Sequence, residues 1–389
     1  MKRVYLDHNA TTPVRPEALE AALPFLSERH GNPSSAVLEG SRAREAVEEG
    51  RERVAALLGA RPEEIVFTSG GTESDNLALR GAVEAHASGG AHVVITAVEH
   101  PAVREAALHA ERLGARLTVL RVAADGTIDP AQVEEAIAPD TVLVSAMFAN
   151  NETGVLFPVE TIGAICRERG VLFHTDAVQA VGKVPIGLDS LPIDLLSLSG
   201  HKMGAFQGTG ALYVRRGVAL ARQIDGGPQE RRRRAGTENV PGIVSLGEAA
   251  SLAADDLEKR PEQLAALRDR LWEGIRRAIP GARLNGDPVR RLPNTISVAF
   301  PGAPGESVLV ALDLEGISVS AGSACASGSV EPSPVLRAMG VDDAAARATI
   351  RLSLGWSTMP TDVDRALEVL PGVVARVRAG AGATAVSAA

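Results

Sequence analysis

Aromatic residues are scarce in this chain of 389 residues, since Phe, Trp and Tyr together make up only 3%. A hydrophobic core must therefore be built from Ala, Val, Leu and Ile, which fits an overall hydrophobic content of 45%. A chain of this length can bury a substantial core without disulfide or metal staples. Its length favours one large domain with a smaller one.

Cysteine is also rare, with Cys166 and Cys325 as the only two. Two cysteines cannot form a disulfide framework. Residues 1–6 leave too little room for the apolar segment of a signal peptide, and no apolar run reaches the length of a membrane span. We therefore expect a cytoplasmic protein with reduced thiols and no membrane partner.

An excess of positive charge is missing, because 40 Lys and Arg face 48 Asp and Glu for a net charge of −8. This balance argues against a nucleic-acid partner. The one basic cluster, four arginines at residues 231–234, is typical of a solvated or interface run. The only lysines are Lys2, Lys183, Lys202 and Lys259, so chemistry that needs a lysine amine has few candidates.

Apolar strands and amphipathic helices alternate from about residue 40 to 250. This pattern predicts an α/β fold with a mostly parallel sheet covered on both faces. The predicted strands lie at residues 64–68, 92–96, 142–147, 171–176 and 194–198. The predicted helices lie at residues 41–58, 72–87, 103–113, 130–137 and 159–169.

The pattern changes after about residue 250, and we place a domain boundary near residue 253. A long charged helix at 255–279, a strand at 294–300, a helix at 307–314 and a strand at 349–353 indicate a smaller α+β unit. The last residues, 379–389, are rich in Ala and Gly and are predicted to form a disordered tail.

Polar segments follow several predicted strands, which is where ligands bind in an open α/β sheet. Gly70-Gly71-Thr72 opens a helix and suits a phosphate cradle, although a capped loop explains it equally well. Asp176 ends a buried strand, where it could pair with a cationic pyridine nitrogen or cap a helix. His100 could stack on an aromatic cofactor and move protons, or lie in an ordinary turn.

Lys202 is the best placed of the four lysines to form a Schiff base, because it follows a predicted strand. Ser199 and His201 beside it could donate to a phosphate, although a surface turn is the alternative. Arg351 lies among apolar neighbours and needs a partner. That partner is either a substrate carboxylate or an internal Asp or Glu.

The two cysteines have different surroundings. Cys325 lies in a run of small residues at 320–329, which favours a reactive thiol on a mobile loop. Cys166 has apolar neighbours and is predicted to be a core residue.

Taken together, these segments resemble the cysteine desulfurases, a branch of the class V aminotransferase-like enzymes that depend on pyridoxal phosphate. The resemblance implies the type I fold of such transferases. Residues 14–253 would form the large cofactor-binding domain, and residues 1–13 and 254–378 would form the small domain with the Cys325 loop. The segment 326–334 is similar to that of the longer-loop branch.

The resemblance also implies a role for each matching position. The catalytic residues would be Cys325 as nucleophile, Lys202 for proton removal and His100 for proton transfer. Pyridoxal 5'-phosphate would be bound by Lys202, Gly71, Thr72, Asp176, Gln179, Ser199, His201 and, from the second subunit of a homodimer, Thr237. Asp176 would pair with the ring nitrogen and Gln179 would bond the ring hydroxyl. Asn151 and Arg351 would hold the substrate carboxylate, and no metal is expected.

The implied reaction converts L-cysteine to L-alanine and leaves the sulfur on Cys325 as a persulfide. The sulfur then passes to an acceptor, such as an iron–sulfur scaffold protein or a thiolation enzyme. An aminotransferase would not need Cys325, and a selenocysteine lyase would prefer the selenium substrate. A non-catalytic scaffold would need to lack Lys202, Asp176 or Cys325, and all three are present.

Overall fold

The structure is a computed structural model that describes residues 3–86, 90–321 and 331–387, with side chains up to residue 381. The strands are β1 (Val4–Tyr5), β2 (Ile65–Thr68), β3 (His92–Thr96), β4 (Arg116–Leu120), β5 (Thr141–Ser145), β6 (Leu172–Asp176), β7 (Leu195–Ser199), β8 (Gly210–Val214), β9 (Arg283–Leu284), β10 (Thr295–Ala299), β11 (Ile317–Ser318), β12 (Ser320–Ala321) and β13 (Thr349–Ser353). The helices are α1 (Pro16–Leu26), α2 (Leu38–Leu58), α3 (Gly71–His86), α4 (Pro101–Arg112), α5 (Pro130–Ala136), α6 (Val159–Arg169), α7 (Val240–Asp256), α8 (Arg260–Ala278), α9 (Gly305–Leu314), α10 (Pro334–Ala338), α11 (Asp343–Arg347) and α12 (Pro360–Ser387).

Seven strands form the large sheet in the order β2-β8-β7-β6-β5-β3-β4. Neighbouring strands are parallel except at β8, which runs antiparallel to both β2 and β7. Only residues 200–209 separate β7 from β8, which is too short for the crossover that a parallel pair requires. The mostly parallel α/β sheet predicted from the sequence is therefore confirmed.

Successive side chains of the large sheet enter two different hydrophobic clusters. Val93 and Ile95 of β3 pack into one cluster, whereas Val94 between them packs into the other. Leu195 and Leu196 of β7 divide in the same way. Because neighbouring side chains of a strand point to opposite faces, both faces of the sheet are buried. This burial explains why the strands read as continuous apolar runs rather than alternating ones.

A second sheet, in the order β12-β13-β10-β9, is antiparallel throughout. Beside it, β1 pairs in parallel with β11, so the first residues of the chain pack with its last third. One hydrophobic cluster joins Val4 and Leu6 to residues between Leu264 and Val374. This packing supports the division into residues 14–253 and residues 1–13 with 254–378, which stays a prediction. Side chains of α10 and α11, however, pack into a cluster of the large sheet.

Two sequence-based expectations differ from the structure. The predicted helix at 255–279 is split, because α7 ends at Asp256 and α8 begins at Arg260. Pro261 lies in the first turn of α8, the part of a helix where proline is tolerated. The helix α12 continues to Ser387 through most of the predicted tail at 379–389, in keeping with the high helix propensity of alanine. None of the described helices combines the length and apolar character that a bilayer crossing requires.

Candidate active site

A cavity of about 400 Å³ lies at the carboxyl ends of the parallel strands in the large sheet. It brings together most of the predicted site residues: Gly71, Thr72, His100, Asn151, Asp176, Gln179, Ser199, His201, Lys202 and Arg351. Thr237 is exposed and does not line this cavity. Cys325 lies outside the described residues.

The turn between β2 and α3 forms one end of the cavity. Gly70 has a φ of +151°, and a Cβ atom on Gly71 would lie 2.6 Å from Cγ2 of Val178. Glycine therefore permits the close backbone approach at this turn. Because α3 begins at Gly71, its first N–H groups and the positive end of its dipole favour an anion here. Thr72 lies inside the first turn of α3.

Ser199 and His201 approach the same end from β7 and the turn after it. The Nδ1 atom of His201 lies 3.0 Å from the hydroxyl oxygen of Thr11. Burial, together with the positive charges of Lys202 and Lys183, lowers the pKa of His201 to about 4. The imidazole is therefore neutral at pH 7 and can donate from one ring nitrogen. Helix N–H groups, a hydroxyl and an imidazole thus converge where a phosphate would bind.

Two buried carboxyl groups and one imidazole lie beside each other in the cavity. Ligand-type atoms of Asp75, His100 and Asp176 all lie within 4.8 Å of one another. One oxygen of Asp176 accepts from the N–H of Val178 at 2.9 Å, as a turn-capping Asp would. The Nδ1 atom of His100 accepts from the N–H of Ala102 at 3.2 Å. In the neutral imidazole, Nε2 therefore carries the proton.

Burial raises the pKa of both carboxyl groups, and it raises that of Asp75 well above the ordinary range. The neighbouring side chains of His100 and Lys202 oppose this rise of the pKa at Asp176. We infer that Asp75 is the protonated carboxyl group of this pair and that Asp176 retains the negative charge. Asp176 can then stabilise a cationic nitrogen in the cavity.

Lys202 follows β7 and contacts the N-terminal segment of the chain. Its Nζ atom donates to the carbonyl oxygens of Asn9 and Ala10, at 2.6 Å each. These bonds hold the amine at the wall of the cavity, which Asn9 and Ala10 also line. The prediction that Lys202 lies at a ligand-binding edge of the sheet agrees with this placement.

Arg351 of β13 is almost fully buried, with an exposed fraction of 2%. One terminal nitrogen donates to the carboxylate of Asp7 at 2.7 Å, and the other donates to the carbonyl oxygen of Asn151 at 2.9 Å. The internal partner that the sequence left open is therefore Asp7. Because Arg351 also lines the cavity, its charge is available to a bound carboxylate.

Sequence reasoning missed several residues of this site. Asp75 lies one helical turn after Gly71, so its position behind the predicted cradle was a usable signal. Asn9 and Asp7 come from the far end of the chain, and no local pattern reveals their approach.

Cys166 is fully buried and burial raises the pKa of its thiol to about 12, which confirms it as a core residue.

The family model for class-V aminotransferases matches residues 4–366. A cysteine desulfurase from Gluconacetobacter diazotrophicus is 51% identical over 380 residues, which cover 97% of this chain and 95% of that protein. The chain belongs to the cysteine desulfurase family.

Solved structures agree with this assignment. A NifS-like protein of this fold has a TM-score of 0.90 at 37% identity, with 96% of this chain and 99% of that one covered. The structure of SspA in complex with cysteine has a TM-score of 0.80 at 37% identity, with 90% and 98% of the two chains covered.

Enzymes of the cysteine desulfurase family use pyridoxal phosphate, and the cavity suits that cofactor. The close approach at Gly71 and the donors beside it match a phosphate. The buried Asp176 matches a cationic ring nitrogen, and the amine of Lys202 lies on the same wall. Each chemical end of the cofactor therefore has a complementary group among the described residues.

Proposed function

We propose that the protein is a cysteine desulfurase that converts L-cysteine to L-alanine and transfers the sulfur to Cys325. The observation that supports this most directly is the convergence of Lys202, Asp176, His100 and Arg351 on one cavity with an anion-binding end. The similarity to a protein solved in complex with cysteine supports the choice of substrate.

Bound pyridoxal phosphate supplies an electron sink that makes the Cα proton of an amino acid removable. Gly71, Thr72, Ser199 and His201 would hold its phosphate, with Thr237 from a second subunit. Asp176 would hold the ring nitrogen, and Gln179 would bond the ring hydroxyl.

The remaining chemistry belongs to the side chains of the protein. Arg351 and Asn151 orient the substrate carboxylate, and Lys202 Nζ accepts the Cα proton. The thiolate of Cys325 then forms an S–S bond as the Cβ–S bond of the substrate breaks. The Cβ atom keeps the electron pair of the broken bond and takes a proton, and the product leaves as alanine. His100 moves protons during these steps, and the persulfide on Cys325 carries the sulfur onward.

We also propose which class of molecule accepts the sulfur. A persulfide must meet a second thiol or a metal-binding scaffold to release its sulfur, so an iron–sulfur scaffold protein or a thiolation enzyme fits this chemistry. We further propose a cytoplasmic homodimer, in which each subunit supplies Thr237 to the cavity of its partner.

Sulfide and alanine release from L-cysteine tests the reaction. Wild-type enzyme with a reductant should release the two products in equal amounts. Lys202→Ala should lose the absorbance of the lysine-bound cofactor. Cys325→Ala should keep that absorbance but lose sulfide release, and Cys166→Ala should resemble wild type because Cys166 lies in the core.

Other results would redirect the assignment. Sulfide release that survives Cys325→Ala would exclude the persulfide route. Transfer of the amino group without sulfide would indicate an aminotransferase. Strong preference for L-selenocysteine in a parallel assay would indicate a selenocysteine lyase.

A further inference from the structure

A chain of hydrogen bonds runs along the wall of the cavity from one lysine to another. The Nζ atom of Lys183 donates to Oε1 of Gln179 at 2.8 Å. The Nε2 atom of Gln179 donates to the carbonyl oxygen of Asn9 at 3.0 Å. The same carbonyl oxygen accepts from Nζ of Lys202 at 2.6 Å. Gln179 is buried and lines the cavity, whereas Lys183 is not one of the lining residues.

The two neighbours of Gln179 together determine which way its amide points. The side chain of Lys183 offers N–H donors, so the amide oxygen faces it. The carbonyl of Asn9 can only accept, so it selects the amide nitrogen. A reversed amide would place its oxygen against the carbonyl oxygen of Asn9 and its N–H groups against the ammonium of Lys183, so both hydrogen bonds would be lost.

The orientation of the Gln179 amide leaves a hydrogen-bond donor for the cavity. The amide nitrogen of Gln179 carries two hydrogens, and the bond to Asn9 uses one of them. The second hydrogen can serve an acceptor in the cavity. Burial lowers the pKa of the Lys183 ammonium well below its ordinary range, and the positive charges of Lys202 and Arg351 lower it further. Both the charged and the neutral amine carry N–H groups, so the bond to Gln179 is possible in either state.

We propose that Lys183 is a positioning residue that keeps the Gln179 amide turned to donate a hydrogen bond to the ring hydroxyl of bound pyridoxal phosphate. The proposal rests on the proposed function, in which Gln179 bonds that hydroxyl. Lys183 reaches the ring hydroxyl through Gln179, so its loss should affect the cofactor chiefly where that hydroxyl is present.

Cofactor binding tests this with two compounds. Purified enzyme freed of cofactor is titrated with pyridoxal phosphate and with its 3-deoxy analogue, which lacks the ring hydroxyl. Lys183→Met should raise the Kd of pyridoxal phosphate on the order of tenfold, as expected for one lost hydrogen bond, and should change that of the analogue much less. The absorbance maximum of bound pyridoxal phosphate should also shift. The exposed Lys259, changed in Lys259→Met, is the control and should alter neither compound.

Two further variants keep the test decisive. Lys183→Arg retains N–H donors and should restore selective binding of pyridoxal phosphate. Gln179→Met should show the same selective loss as Lys183→Met, and the double variant should be no worse than Gln179→Met alone, because both residues act through one bond.

Equal weakening of the two compounds in Lys183→Met, or unchanged binding of both, would overturn the proposal. If Lys183→Met does not fold, a selective loss of pyridoxal phosphate binding in Lys183→Arg, which retains the N–H donors, would overturn it. Failure of the proposed function gives a different result, because wild-type enzyme would then release no sulfide whatever the variants bind.

Discussion

Arg351 serves two groups with one buried side chain. Its two terminal nitrogens reach Asp7 and the carbonyl oxygen of Asn151, and its guanidinium lines the cavity. The planar fork of arginine makes this sharing possible, whereas lysine has a single nitrogen. The identity of the residue therefore matters as much as its charge.

Replacing Arg351 by lysine should raise the KM for L-cysteine at least tenfold. The single ammonium cannot satisfy Asp7 and a substrate carboxylate at the same time. Absorbance of the bound cofactor should stay as in wild type, and steady-state kinetics with sulfide detection gives the KM. Arg270→Lys on the surface is the matched control. An unchanged KM in Arg351→Lys would remove Arg351 from substrate binding.

Glu99 makes the stability of the protein depend on pH. Its buried carboxyl accepts from the hydroxyl of Thr96 at 2.7 Å and the N–H of Met147 at 3.0 Å. Burial raises its pKa to about 8, whereas an unfolded chain has a Glu pKa of about 4.3. Below about pH 4 both states are protonated. Between about pH 4.3 and 8 only the unfolded state ionises, so the Glu99 contribution lowers the free energy of unfolding as pH rises.

Changing Glu99 to glutamine should remove this contribution, which is at most about 1.4 kcal/mol per pH unit. Glutamine retains an acceptor oxygen for Thr96 and Met147. Urea unfolding of the cofactor-loaded enzyme at pH 6, 7 and 8 should show a smaller loss of stability with pH in Glu99→Gln than in wild type. Glu105→Gln, at an exposed position, should follow wild type. Parallel curves for Glu99→Gln and wild type would show that Glu99 does not titrate in this range.

At the scale of elements, an ion pair between Arg51 of α2 and Glu230 holds a strained turn. Both terminal nitrogens of the Arg51 guanidinium donate to Glu230, at 2.9 and 2.7 Å, and the carboxylate also accepts from the N–H of Phe67. Glu230, Arg231 and Arg232 have φ values of +44°, +55° and +65°, which are costly for residues with a side chain. The basic run is anchored further by Arg234, which pairs with Glu73 of α3 at 2.9 Å.

Glu230→Gln should lower the free energy of unfolding by about 3 kcal/mol, because it removes the buried counter-charge of Arg51 and leaves only the half-exposed Glu48 as an ion-pair partner. Urea unfolding gives the difference. Glu273→Gln, which breaks the exposed pair with Arg276, should have no measurable effect and serves as the control. If the double variant Arg51→Met with Glu230→Gln is also no more stable than Glu230→Gln alone, the unpaired charge is not the cause of the loss.

Strands were predicted more accurately than helix ends. The strands at 92–96 and 349–353 agree with the structure at both ends, because a polar residue stands at each end of both segments. β4 at the edge of the sheet was missed, since its exposed side chains interrupt the apolar pattern. The split between α7 and α8 was missed because the charge pattern continues across it.

At the scale of the whole molecule, Thr237 raises the question of a second subunit. It is exposed and does not line the cavity of its own chain, so a role at the phosphate requires a partner chain. The proposed homodimer meets this requirement. In that dimer, each site takes its Lys202 from one chain and its Thr237 from the other.

Mixing two inactive variants should therefore restore activity. In a heterodimer of Lys202→Ala and Thr237→Ala subunits, one site combines an intact Lys202 with an intact Thr237. Tagged heterodimers should release sulfide from up to half of their sites, and each homodimer should release much less. Mixed wild-type and Lys202→Ala subunits give the reference value. No gain over the homodimers would mean that Thr237 acts within its own chain or not at all.

The amino-acid sequence alone predicted the α/β class, five of the seven strands of the large sheet, and the placement of Lys202, Asp176 and His100 at one edge of that sheet. These features follow from local pattern, because parallel strands are recognised by apolar runs and ligands bind where such strands end. The folded chain was needed to show that Asp7 pairs with Arg351, that Asn9 meets Lys202, and that Lys183 donates to the amide oxygen of Gln179. These contacts join distant parts of the chain or depend on the direction of one side chain, and neither is encoded in local periodicity.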